Sequence, residues 1–469
     1  MTGTLAAATT ARRDVVPDGP HARTVITIAS MGFFLITLDI SIVNVALAKI
    51  RAELGGGTTG QQWVIDGYTL VFAALLLFAG NLSDRVGAKR ALALGIVIFT
   101  LTSAACAAAP SAALLIAARC AQGAGAAVML PASMALIREA FPDPDRRARA
   151  LGIWAVGGAV AGLLGQPLGG LLTTYDWRWV FTINLPVCVG MLAFLGVVAR
   201  SPTRSAPFDY AGQVLAVVGL STLVYGLIDG GHAGFTSPLV LLALAVAVLA
   251  LTGFVLVQSR VAHPMMPLDL FRAHGFRLAL PVGFAFMVGN FGNVFVVSIY
   301  LQQHLGLSPW HAGLVFLPSA FFAIAGNLAS GPITNRFGAR VPVVVGLSGM
   351  VIGLVALAIT TPLGLPLLTA ACVIPIGAGG SLAMPSVTSV VLEGVPAEQA
   401  GTASAVFNTF RQVGGAVAIA VFGALIANPD HIDRGLRLSL GSAALLLLLA
   451  ALNSLRIRPR ADDAGSAAP

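Results

Sequence analysis

The spacing of apolar runs limits this chain more than any other feature. The hydrocarbon core of a bilayer is about 30 Å thick, and a helix crosses it with roughly 20 mostly apolar residues. About fourteen runs of that length follow one another here, the first over residues 24–48 and the last over 434–457. They are rich in Leu, Val, Ala and Gly and show no strict alternation. That pattern predicts helices and excludes a transmembrane barrel, whose strands alternate with a period of two. A composition that is 57% hydrophobic and 10% charged, with a mean hydropathy of +0.89, lies outside the range of soluble globular chains. The expected fold class is an all-α integral membrane protein with 14 transmembrane helices.

The few charges set the topology. Residues 1–23 are polar, carry Arg12, Arg13 and Arg23, and lack the features of a cleaved secretory signal. The first span is therefore expected to stay in the membrane, and residues 458–469 form a short second tail. With the N-terminus inside, Lys49, Arg51, Arg178, Arg434 and Arg437 fall on the outer side and Arg119 and Arg411 fall within spans. Every other Lys and Arg then falls on the inner side, so both termini are expected in the cytoplasm of a multi-pass plasma-membrane (inner-membrane) protein. A net charge of +8 would otherwise invite nucleic acid, but its spread over many short loops argues against such a partner. Cys106, Cys120, Cys188 and Cys372 are scattered in apolar runs without a CxxC pair, and the His residues lie in loops or at span ends. No metal site, cofactor or catalytic constellation is expected from them.

An internal repeat organises the spans. GNLSDRVGAKR (80–90) is echoed by GPITNRFGARV (331–341), at an offset of 251. GAGAAVMLP (123–131) is echoed by GAGGSLAMP (377–385) at 254, and VGGAVA (156–161) recurs at 413–418 at 257. Three matches in one order imply two homologous halves. The repeat unit spans eight helices from start to start, yet only six follow the eighth. The chain therefore divides into a six-helix bundle over 24–200, an inserted pair over 201–262 and a second six-helix bundle over 263–457. Parallel halves of this kind are a transporter architecture.

This organisation and its motifs resemble the major facilitator superfamily and, more narrowly, its fourteen-helix drug:proton antiporter family. The resemblance covers nearly the whole chain. GNLSDRVGAKR resembles the superfamily loop between helices 2 and 3, LDISIVNVAL (38–47) a first-helix motif, and LIAARCAQGAGAA (115–127) a fourth-helix motif. WRWVFTINLP (177–186) and FRQVGGAVA (410–418) are similar to stretches of the same branch. One motif departs. The antiporter signature Gly-Pro-x-x-Gly-Gly reads GQPLGG at 165–170, with Gly165, Pro167, Gly169 and Gly170 and the proline one place late. Small residues in that helix read either as close packing alone or, by the resemblance, as a bend and seal between the halves.

Embedded polar residues are the candidate site. A charge near the bilayer centre costs at least about 2.5–3.5 kcal/mol, so each needs a cavity or a partner. Asp39 and Asp66 are candidates for proton coupling or for holding a cationic substrate, against a structural hydrogen-bonding role. Asp39 paired at an offset of 251 lands on Asn290, which would concentrate titration in the first half. Trp63 and Thr69 lie one turn either side of Asp66, and an aromatic beside an acid suits an organic cation. Arg119 and Gln122 project together and need an acceptor, Asp39 or Asp66. Phe286, Asn290, Asn293 and Tyr300 form one stripe expected to face a central cavity, with Arg411 and Gln412 a further, weaker pair.

In the loop motif, Gly80 is expected where a side chain would obstruct a neighbouring helix, and Gly87 in a tight turn. By the resemblance, Asp84, with Arg85 and the echoing Asn335 and Arg336, forms a latch between the halves. Its expected partners are the start of span 13 and Arg149. Energy for transport has no nucleotide source: the only lysines are Lys49 and Lys89, and neither lies in a Gly-x-x-x-x-Gly-Lys-Ser/Thr loop. The reading is a monomeric, proton-coupled exporter of amphipathic, cationic organic compounds or antibiotics. Its rivals are a dedicated exporter of one metabolite or antibiotic, or an importer.

Overall fold

The computed structural model describes residues 21–203, 209–262, 264–393, 395–396, 399–427 and 431–457. The second tail, and residues 1–20 of the first, lie outside them. Helix follows helix: α1 (Ala22–Leu54), α2 (Gly57–Val86), α3 (Ala88–Ala107), α4 (Ala112–Ala140), α5 (Pro144–Tyr175) and α6 (Trp179–Gly196). Then come α7 (Tyr210–Ala233), α8 (Pro238–Gln258), α9 (His274–His304) and α10 (Pro309–Phe337). The last are α11 (Arg340–Thr360), α12 (Pro366–Leu392), α13 (Ala400–Leu425) and α14 (Ile432–Ser454). Among the described residues, 12 helices are long and apolar enough to cross a membrane, or up to 14 when the bent α2 and α5 each count as one span. Large apolar side chains such as Leu101, Leu249, Ile352 and Leu449 are exposed on the outer faces, as a surface meeting lipid requires.

The same pairings recur in both parts of the chain. In the first, α1 packs on α5, α2 and α3 on α4, and α3 on α6; in the second, α9 packs on α13, α10 and α11 on α12, and α11 on α14. The pair α7–α8 packs on itself and leans through α7 on α2 and α13. Glycine makes these approaches close. A Cβ on Gly123 would strike the Tyr68 backbone, and one on Gly377 the Ser319 backbone. Gly125 meets Gly95 and the Phe99 nitrogen, while Gly379 meets Gly346 and the Met350 nitrogen.

Gly157 sits on the Ser30 carbonyl, and Gly414 on the Phe284 carbonyl. This last correspondence corrects the register expected for the first helix. Phe284 stands 254 positions after Ser30, so the counterpart of Asp39 is Asn293 and not Asn290. The loop motif's offset of 251 does not carry back into α1 because the helix 1–2 connection differs in length between the halves.

Two breaks have proline as their cause. α5 bends by 41° between Arg149–Gly162 and Leu164–Tyr175. Pro167 lacks an N–H, and its ring presses on the carbonyl four residues earlier, that of Leu163. The late proline of GQPLGG thus places the bend. α6 is interrupted at Ile183 between Trp179–Thr182 and Asn184–Gly196, three residues before Pro186. α2 bends by 58° between Leu76 and Phe78 with no proline or glycine at the break.

The two halves meet at one end and part at the other. At the end carrying the α1–α2 turn, Arg51 Nη1 donates to Gln303 Oε1 (2.8 Å) and Gln62 Nε2 donates to the Ala420 carbonyl (2.8 Å). Gly170 abuts the Pro309 backbone and Gly313 abuts Gln166, so α5 and α10 touch main chain to main chain. The opposite end carries the sharp α2–α3 and α10–α11 turns, at Gly87 (φ 88°) and Gly338 (φ 76°), conformations that favour glycine. Replacing Gly123 or Gly377 by Val should prevent accumulation of folded protein, whereas Gly152→Val and Gly441→Val, which meet open space, should be tolerated. Monodisperse yield on size exclusion after detergent extraction reads the difference.

Candidate functional site

Three helices converge on one buried carboxylate. Asp39 on α1, Arg119 and Gln122 on α4, and Asn184 on α6 are all fully or almost fully shielded. Arg119 Nη1 forms an ion pair with Asp39 Oδ2 and also donates to Gln122 Oε1 (2.7 Å). The other carboxylate oxygen accepts from Gln122 Nε2 (2.9 Å) and Asn184 Nδ2 (3.1 Å). Both amides also donate to Ser103 Oγ, at 2.8 and 3.3 Å. Arg119 Nε reaches across to the Val64 carbonyl on α2 (2.9 Å), and the guanidinium lies 4.3 Å over the Tyr68 ring. One guanidinium therefore ties α1, α2 and α4 together.

Sequence reasoning missed Asn184, Ser103 and Tyr68. Asn184 had a signal, its place in WRWVFTINLP, where the break before Pro186 turns it inward. Ser103, on an apolar helix, had none.

Asp66 stands apart from this network. It is fully buried, Thr69 Oγ1 donates weakly to its Oδ1 (3.4 Å), and its Oδ2 has no partner among the described residues. Trp63 turns toward the inserted pair, 6.4 Å from the Tyr225 ring, and Tyr225 donates to Asp229. In the second half, Tyr300 donates to the Thr361 carbonyl and stacks on His304 in a π-helical turn. Asn293 is buried with Oδ1 unpartnered, and Asn290 is half-buried. Arg411 lies between the Phe286 and Phe407 rings and donates to Asn408, while Gln412 beside it is buried.

A cavity of about 310 Å³ opens at the Gly87 end. Its walls come from both halves: Leu76, Asp84, Met134 and Arg138 from the first, Thr402 and Asn408 from the second. None of the residues expected to line a central cavity lies in its wall. The halves touch at the other end, and the cavity walled by both of them opens at the Gly87 end. Asp84 and the start of α13 (Gly401, Thr402) face this cavity, but so does Arg138 rather than the expected Arg149, which is exposed elsewhere. Gly80 also borders the cavity, with nothing within 4 Å of an added Cβ. It does not relieve a helix contact, because α2 continues past it to Val86. Arg336 lies over the Phe337 ring, and Asn335 and Arg85 each have an interaction partner.

The Major Facilitator Superfamily profile matches residues 29–419. The chain is 37% identical over 464 residues to the methylenomycin A resistance protein of Streptomyces coelicolor, covering 97% of this chain and 96% of that one. It is 37% identical over 415 residues to the cephamycin export protein CmcT of Amycolatopsis lactamdurans (85% and 84% covered). It is also 37% identical over 401 residues to the multidrug resistance protein Stp of Mycobacterium tuberculosis (85% and 74%). Among solved structures, a D-xylose–proton symporter superposes with a TM-score of 0.68 at 14% identity, covering 94% of this chain and 98% of that one. A peptide transporter superposes at 0.70 and 16%, covering 94% and 97%. These relatives and structural neighbours are transporters and not enzymes.

Removing one partner of a buried ion pair strands the other and costs about 3–5 kcal/mol. Asp39→Asn and Arg119→Gln should each lower the thermal midpoint of the detergent-solubilised protein. The double variant should be less destabilised than the sum of the two. Additive losses would show that the pair does not tie these helices together.

Proposed function

This chain belongs to the Major Facilitator Superfamily, and on that premise we propose that it exports amphipathic organic compounds, antibiotics among them, in exchange for protons. The observation that carries the reading is the cavity walled by both halves, open at the Gly87 end while the halves touch at the other. Taken with the positive-inside assignment, the open end faces the cytoplasm, where an exporter loads. The relatives named for resistance and export supply the direction of transport. Two six-helix bundles related by a pseudo-two-fold axis, with α7–α8 inserted, would rock about the α2–α13 and α5–α10 seams.

Proton exchange falls to the first half. Asp39 holds three donors, including Arg119, and taking up a proton there means giving up the ion pair. Asp66 holds no cation and can exchange a proton without breaking one. We assign Asp66 as the exchanging group and the Asp39–Arg119–Gln122 cluster as the element that its charge biases. The cation expected beside Trp63 and Asp66 would need that pair to reach the cavity, and here Trp63 packs on Tyr225 instead. Asp84, with Arg138 opposite, closes on the start of α13 when the cavity shuts, which is the latch in its engaged state. A narrower reading, export of one compound, is favoured by relatives named for methylenomycin A and cephamycin alone.

Expression in an efflux-deficient strain should raise resistance to several unrelated antibiotics, and a protonophore should abolish the gain. Resistance confined to one compound selects the narrower reading, and resistance that survives the protonophore overturns proton coupling. In reconstituted vesicles, Asp66→Asn should stop gradient-driven accumulation yet keep substrate exchange between equal pools. Loss of both activities would assign Asp66 to binding or folding. Asp84→Asn should bind substrate normally and slow turnover severalfold; unchanged turnover would leave that loop a topological signal only.

A further inference from the structure

We propose that the cavity receives an anion, an amphipathic carboxylate whose acid group seats on Arg411. The inference rests on the cavity being the substrate site and names the substrate class. Arg411 lies on α13 one turn deeper than Asn408, which lines the cavity. Its Nη1 donates to Asn408 Oδ1 (3.1 Å), and Asn408 is itself fixed by donating to the Ser404 carbonyl (2.9 Å). The aliphatic stem rests where Gly283 has no side chain, and the guanidinium is flanked by Phe286 (5.6 Å) and Phe407 (5.8 Å). Nε is buried without a partner, and among the described residues no carboxylate pairs with this arginine.

The contrast with Arg119 gives the observation its weight. Both arginines lie against two aromatic rings and keep one buried nitrogen without a partner, but Arg119 also has an aspartate, a glutamine and a carbonyl, whereas Arg411 has one amide among the described residues. A guanidinium keeps its charge at any physiological pH. Ring faces stabilise that charge but accept few of its N–H groups. The Nε edge of the fork, which grips a carboxylate side-on, is the edge left over. Among the described residues no ion pair offsets the charge. Asp39 is committed to Arg119, and the cavity wall itself holds one acid and one base, Asp84 and Arg138. The rest of its wall is neutral: Leu76, Leu130 and Met134 supply apolar area, with Asn81, Thr402 and Ser404 among the polar groups. A monoanion with an apolar body satisfies both parts, its acid on Arg411 beside Asn408 and its body against these side chains.

Three probes sharing one apolar body test this: 1-pyrenebutyrate, its methyl ester, and pyrenebutyl-trimethylammonium. Binding to the full chain in detergent is measured by equilibrium dialysis, with no gradient present. The carboxylate should bind about tenfold or more tightly than either other probe. Arg411→Gln should erase that preference and leave the ester unchanged, and Arg411→Lys should retain part of it. Should Arg411→Gln fail to fold, Asn408→Asp supplies an internal carboxylate to Arg411 and should also erase the preference. The inference is overturned if the ester or the ammonium binds as well as the carboxylate in the native chain. Equal weakening of all three probes by these variants overturns it as well. Because the assay is at equilibrium, failure of efflux in vesicles with the carboxylate preference intact would sink the export reading and leave this one standing.

Discussion

Everything at the centre of the first half depends on one buried charge pair. Two ions in a low-dielectric interior are tolerable only when geometry is good and the remaining lone pairs and protons are satisfied. The Asp39 carboxylate meets that condition through Arg119, Gln122 and Asn184, and Ser103 accepts from both amides; among the described residues Arg119 Nη2 and Asn184 Oδ1 keep no partner. The need to serve one carboxylate fixes where α1, α4 and α6 stand relative to one another. The reach of Arg119 to the Val64 carbonyl adds α2. Apolar packing alone would hold these helices together in lipid without choosing one arrangement, since lipid tails are as apolar as leucine.

The second half uses the same backbone plan for different chemistry. The glycine approaches match pair for pair, so the scaffold positions correspond. The side chains do not. Where the first half has Asp39, Arg119 and Gln122, the register of those approaches gives Asn293, Val373 and Ile376. Where the second half has Arg411, the first has Trp154, stacked 4.1 Å from Phe33. A buried ion pair sits in one bundle, and in the other sits a cation with no carboxylate partner among the described residues. Such division of labour fits a transporter that must bind two unlike things, because each site is relieved of the other's constraints.

Sequence made the architecture legible because lipid imposes it. Span lengths follow from bilayer thickness, and the echo of GNLSDRVGAKR exposed the repeat. Arg119's need for an acceptor followed from burial alone, but the choice of Asp39 over Asp66 did not. That choice depends on which way α2 is rotated, and α2 has no polar stripe strong enough to declare it. Trp63 illustrates the same gap: its spacing with Asp66 is right for one face, yet the inserted α7 offers Tyr225 on that side and takes the indole. Asn290 was paired with Asp39, in place of Asn293, because the loop offset was carried through a connection whose length differs. The lone state of Arg411 was invisible, since a sequence shows a charge but not the absence of a neighbour.

How the two sites could act on one another follows from the helices they share. Gln62 and Val64 are two residues apart on α2. The first donates to the Ile419 and Ala420 carbonyls of α13, and the second accepts from Arg119. Farther along, the same α2 presents Asp84 to the cavity, and the same α13 presents Asn408 to it and Arg411 beyond. On the proposed exchange, a change of charge that loosened Arg119 would release its hold on α2, and the Gln62 contact joins α2 to the helix that carries Arg411. No ligand moves an equilibrium by more than the difference in its affinity for the two states. On the proposed exchange, the proton and the substrate would each have to bind one arrangement of the two halves better than the other. The seam at this point is built from side chain to main-chain hydrogen bonds, with Gly423 beneath Gln62 leaving the amide room to reach the α13 carbonyls, and these are the contacts that any shift between the halves has to break and remake.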